Sequence, residues 1–95
     1  MARNEHQEIS AGDPLLITIN DVASITVQNQ SADEQLRLWG AIGETPPDPT
    51  KDFVILPPGQ MFLDVALSEL FPGVAANRVY AASERRNVKA FISHA

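Results

Sequence analysis

Apolar residues in this chain come in short runs, each closed by proline, glycine or a polar turn before it reaches helical length. That spacing constrains the fold more than any other feature. A helix claims a segment when 3.6-residue periodicity persists for roughly ten residues or more, whereas a strand needs only about four to eight. Residues 15–19 form one run, closed by Asn20-Asp21. Residues 24–29 alternate, with Ile25 and Val27 on one face and Thr26 and Gln28 on the other. Residues 36–39 alternate again before Gly40. The connection over 44–51 holds Pro46, Pro47 and Pro49 and cannot be helical. Residues 53–56 run into Pro57-Pro58-Gly59, and further runs cover 61–67, 79–82 and 88–92. Seven candidate strands result.

Strands rich in Val, Ile, Thr and Phe at such spacing predict an all-β sandwich or barrel. Pro58-Gly59 suits the central positions of a type II turn, and Pro72-Gly73 offers the same chemistry. The best helical competitor is 65–70, ended by Pro72. Residues 78–83 could also wind into a helix, but Val79 and Tyr80 favour a strand. Residues 1–14 are polar, with Ile9 their one large aliphatic residue, and end in Gly12-Asp13-Pro14. They read as an N-terminal arm, and 15–95 as a single β-domain.

The chain has 95 residues, 44% of them hydrophobic, and no cysteine. A domain of this size buries only about 60–65% of the surface its unfolded form exposes, so contacts with copies or partners would add to its stability. Without cysteine, neither a disulfide framework nor a thiolate zinc site is possible. The start Met1-Ala2-Arg3-Asn4-Glu5-His6 lacks an apolar core, so no secretion signal is expected and the chain is expected to stay in the cytoplasm or in something assembled there. No apolar run approaches the ~20 residues of a membrane-spanning helix. The net charge of −5 argues against general nucleic-acid binding. The charge is uneven: residues 1–77 hold three basic against eleven acidic groups, and 78–95 hold Arg78, Arg85, Arg86 and Lys89 against Glu84. Such a dipolar domain can stack or dock.

Catalytic patterns are missing from the sequence. His6 and His94 sit near opposite ends, and the predicted interior strands carry no histidine with which to build a cupin-type metal site. Ser93-His94 are sequence neighbours in a C-terminal tail, and were the strand to continue they would point to opposite faces, so the pair is not a dyad. Asp33-Glu34, Asp48 and Asp52 fall in or beside loops, where solvated carboxylates belong. Asn29-Gln30-Ser31 matches a glycosylation sequon, but without a secretion signal it reads as a strand-to-turn transition. The sequence therefore predicts no enzyme, no metal and no cofactor.

Binding or assembly is left. Trp39 lies out of phase with Leu36 and Leu38, which makes it either an exposed interface ring or a ring packed at the rim of the core. The same choice applies to Phe62. The continuous apolar runs 53–56 and 61–63 imply strands buried on both faces, more than one small sandwich can cover alone. A subunit interface is the natural second cover. Trp39, Phe53, Ile55, Met61 and Phe62, with the basic pair Arg85 and Arg86, are the interface candidates.

The order of motifs from about Pro14 to Ala95 resembles small structural proteins of tailed-bacteriophage particles. The strand and polar turn Ile25-Thr26-Val27-Gln28-Asn29-Gln30-Ser31 comes first, followed by the proline loop. The apolar stretch Val54-Ile55-Leu56-Pro57-Pro58-Gly59-Gln60 is next, and Val79-Tyr80-Ala81-Ala82 and Val88-Lys89-Ala90-Phe91-Ile92 close the series. The resemblance implies a cofactor-free β-sandwich or barrel, often trimeric, located in the virion. Within that group the expected role is capsid decoration (cement), with the major capsid protein as partner. A neck, tail or fibre-base adaptor is the alternative, and a carbohydrate- or peptide-binding β-module is the alternative from another class. The acidic arm departs from simpler members of the group.

Overall fold

The computed structural model describes residues 3–43, 47, 53–73 and 75–94, and only the backbone of 3 and 4. Eight strands and one short helix follow in order: β1 (Arg3–Ile9), β2 (Leu15–Leu16), β3 (Ser24–Asn29), β4 (Leu36–Ala41), β5 (Val54–Leu56), β6 (Met61–Ala66), α1 (Leu67–Leu70), β7 (Arg78–Ser83) and β8 (Val88–His94). All seven strands expected from the run-and-turn spacing are present. The helical competitor shrinks to the four residues of α1, because β6 holds the chain extended through Ala66.

The pairing has a simple logic. β1 pairs with β8, β2 with β7, β3 with β6 and β4 with β5, all antiparallel. The chain is thus one long two-stranded ribbon, closed at the β4–β5 connection and folded over on itself. Folding brings β8 beside β3 and β7 beside β4. Two four-stranded sheets result, β1-β8-β3-β6 and β2-β7-β4-β5. This is the strand order of a jelly roll, an architecture found in viral capsid and lectin domains and in cupins.

Alternation sends one set of side chains between the sheets. Ile9, Ile25, Val27, Val88, Ala90 and Ile92 from the first sheet meet Leu36, Leu38, Leu56, Val79 and Ala81 from the second, with Leu67 and Phe71 closing one end. Gly40 belongs to this layer because nothing larger fits: a Cβ there would stand 2.6 Å from the Phe71 ring and 2.9 Å from the Ala76 Cβ. A second cluster, Trp39, Ala41, Tyr80 and Ala82 with Leu16 and Phe53, lies on the outer face of the second sheet.

Two sequence expectations need correction. Residues 3–9 are not an arm outside the fold but the edge strand β1, in register with β8 from Arg3↔His94 to Ile9↔Val88. Its hold comes from backbone pairing, which leaves no apolar periodicity in the sequence. The turns also differ from each other. Pro58-Gly59 makes the expected type II turn, with Gly59 at φ 74° and the Gln60 N–H donating to the Pro57 carbonyl (3.2 Å). Pro72-Gly73 does not repeat it: Gly73 stays outside the left-handed region, because there the chain leaves α1 instead of joining two paired strands.

Candidate functional site

The ribbon topology gathers the connections 10–14, 30–35, 57–60 and 84–87 at one end of the sandwich. Asn29, the last residue of β3, is fully buried and ties two of these segments and the end of β5 together. Its Nδ2 donates to the carbonyls of Glu34 (2.8 Å) and Leu56 (3.1 Å), and its Oδ1 accepts the Ser31 N–H (2.9 Å). Its main chain also bonds to Gly59 and Gln60. Asparagine suits this place because it offers donors and an acceptor together, and buried polar atoms must be paired.

Glu34 makes the next link. Its carboxylate is 1% exposed, and Oε2 accepts the consecutive N–H groups of Arg85 (2.7 Å) and Arg86 (2.8 Å). Burial alone would push its carboxyl up. The two backbone N–H groups outweigh that, helped by the Arg85 and Arg86 charges, and hold it below its ordinary value. Asp33 pairs with the Arg86 guanidinium, and Glu84 pairs with Arg37 at 3.6 Å. A shallow cleft of about 260 Å³ opens here, lined by Asp33, Glu34, Gln35, Pro58, Glu84 and Arg85. The chemistry is that of a fastening: every charge named has a partner.

The β5–β6 edge differs. β5 ends one sheet and β6 the other, so one flank of the sandwich carries both. Ile55, Met61 and Leu63 are exposed there, Leu63 at 68%. Pairing of β3 with β6 slips between Ile25↔Val65 and Val27↔Phe62, which places an extra residue in β6. At this bulge Asp64 has φ 47°. The strained turn is pinned: Asp64 N–H donates to Thr26 Oγ1 (2.8 Å), and Ser24 Oγ donates to Asp64 Oδ1 (2.9 Å). Phe62 and Val65 keep facing the core, while Leu63 is turned out to solvent. Bulges of this kind re-aim side chains and blunt strand edges. This edge therefore presents an apolar side chain without offering a regular strand to pair with.

The interface candidates separate accordingly. Ile55 and Met61 are exposed on the β5–β6 flank, and Phe62 is half-buried against the core. The two runs expected to be buried on both faces are thus edge strands, uncovered on one side in the single chain. Trp39 is not at the surface: it is 2% exposed, edge-on to Phe53 at 5.9 Å, beside Tyr80 and Ala82. Its indole N–H has no acceptor among the described residues, a cost of about 1–3 kcal/mol that the ring's packing must exceed. The Arg37 guanidinium lies over the other side of this cluster, 4.8 Å from the Phe53 ring centre. Arg85 and Arg86 stay exposed at the loop end.

His6 stacks edge-on against Phe91 at 5.3 Å, and buried His94 accepts the Ile19 N–H (3.3 Å) through Nε2. Among the described residues no group of three or more His, Cys, Asp or Glu side chains could hold a metal ion. Asp48 and Asp52 lie outside the described residues. The bulge at Asp64 and the Glu34 fastening escaped the sequence reading. Only Asp64, a charged residue inside the apolar run 61–67, could have hinted at the first. Comparison with known proteins finds no match: no family model, curated protein or solved structure is similar to the chain.

Proposed function

We propose that this chain is a structural subunit of a tailed-bacteriophage particle, a head decoration protein that bridges subunits of the shell. The observation that carries the reading is the exposed apolar edge of a jelly roll: Leu63 at the pinned bulge of β6, Met61 on the same strand, and Ile55 on β5, the edge strand of the facing sheet. Jelly rolls serve in viral shells, where they work by contact. Cementing needs no chemistry. It lowers the free energy of the assembled shell through contacts that an isolated subunit lacks, and exposed aliphatic side chains at a rigid edge provide them. The motif order set out above supports a phage particle over other assemblies. The major capsid protein is the partner this reading implies, and a trimer the homo-oligomer it favours. A neck, tail or fibre-base position would use the same flank. A carbohydrate-binding role is less well served, because Trp39, the best stacking ring, is buried.

Co-sedimentation of the purified chain with intact shells of the phage that encodes it tests the proposal. Saturable binding that Leu63→Asp abolishes is expected. Shells that bind nothing, or bind the variant equally well, would overturn it.

A further inference from the structure

We infer that β1 is an exchangeable strand, able to leave its own β8 and dock in the same register on the β8 of a second copy. The inference stands apart from the virion reading and needs only this chain.

Three features carry it. First, β1 is an edge strand and lightly invested in the core. Positions 5 and 7 lie opposite the fully buried Ile92 and Ala90, yet they are Glu and Gln, and only Ile9 enters the apolar layer. Releasing such a strand removes one side chain, Ile9, from the apolar layer and uncovers the β8 edge, and docking on a second copy restores both. Second, the groove on β8 recognises this sequence in one register. Glu8 faces Lys89, the His6 ring meets Phe91, and Ile9 faces Val88, so the natural ligand for a vacated β8 is another β1. Third, the fold-back passes through a glycine conformation, next to the Ser83 N–H bond to the Ser10 carbonyl (3.1 Å). The chain turns from β1 to β2 through Gly12 at φ 101°, a conformation glycine adopts readily and other residues rarely. Asp13 precedes Pro14 and is biased toward extended backbone, the conformation an opened connection requires. The same pairs form in both states, so concentration and the cost of the turn at Gly12 set the balance. Exchange of identical elements is a low-cost route to oligomers.

The absence of cysteine makes the test direct. Single variants Glu8→Cys and Lys89→Cys, both at exposed positions in register, are mixed at high concentration, warmed to allow exchange, cooled and oxidised. A disulfide between the two different chains is expected, well above that given by the off-register pair Glu8→Cys and Ser93→Cys. Adding Gly12→Ala places a Cβ that touches nothing within 4 Å but strains the positive φ. It should raise the cross-linked fraction about fivefold or more. Leu63→Asp should leave that fraction unchanged, which separates strand exchange from association through the β5–β6 flank. No disulfide between the two variants at any concentration would overturn the inference. So would an in-register yield no higher than the off-register one.

Discussion

At the scale of single residues, the loop end is held by two buried polar side chains whose replacement has different signatures. Asn29→Ala leaves the Glu34 and Leu56 carbonyls and the Ser31 N–H without their partner. A loss of about 2–4 kcal/mol is expected in urea denaturation, since each buried group left unpaired costs about 1–3 kcal/mol and some regain water. Glu34 adds a pH dependence. Its folded-state carboxyl lies below the ordinary 4.5, so its contribution is fully present above that value and fades as pH falls through the lower folded-state value. Glu34→Gln should therefore lower the melting temperature at pH 7 and flatten its decline in acid. Equal acid slopes for the two proteins would refute that assignment. Gly40→Ala would drive a methyl into the Phe71 ring and Ala76 and is expected to cost about 1–3 kcal/mol.

At the scale of elements, β1 decides between two accounts of the N-terminus. A docking arm could be removed without harm to the domain. An edge strand could not, because removal uncovers β8 and takes Ile9 out of the core. Deleting residues 1–12 should lower the melting temperature clearly, and Ile9→Ala alone should cost about 2–5 kcal/mol in chemical denaturation. An unchanged melting temperature after deletion would restore the arm. The comparison also explains what the sequence could reveal. β3 and β8 were legible because each packs one face on the core and so alternates, and β4 and β7 because their short apolar runs, buried on both faces, are bounded by turn residues. β1 was not: its polar residues occupy both faces, and a strand held by main-chain bonds leaves no side-chain signature. Trp39 was ambiguous because one sheet carries a second apolar cluster on its outer face, which breaks the rule that out-of-phase residues meet solvent. The Glu34 tie could not be read from sequence at all, since it joins residues some fifty positions apart through backbone N–H groups that any residue could supply.

At the scale of the whole molecule, the open question is how strongly the β5–β6 flank can bind. Leu63, Met61 and Ile55 are exposed by 68, 45 and 43%. Burying a whole side chain of this kind contributes about 1.5–3 kcal/mol, so covering the exposed parts of all three offers roughly 2–5 kcal/mol per copy. Association in solution costs about 4–15 kcal/mol in lost translational and rotational freedom, which leaves a pair of isolated copies near balance. A surface array changes the sum, because neighbouring contacts share that cost and several sites engage at once. The free chain is therefore expected to sediment mainly as a monomer at low micromolar concentration and to associate, toward a trimer, as concentration rises. Leu63→Asp should abolish that rise while shifting folding stability by no more than about 0.5 kcal/mol, as for other exposed positions. A loss of 2 kcal/mol or more would mean that Leu63 belongs to the core. A concentration dependence that survives the substitution would place the association elsewhere, and the strand-exchange cross-link would then identify β1 as its source.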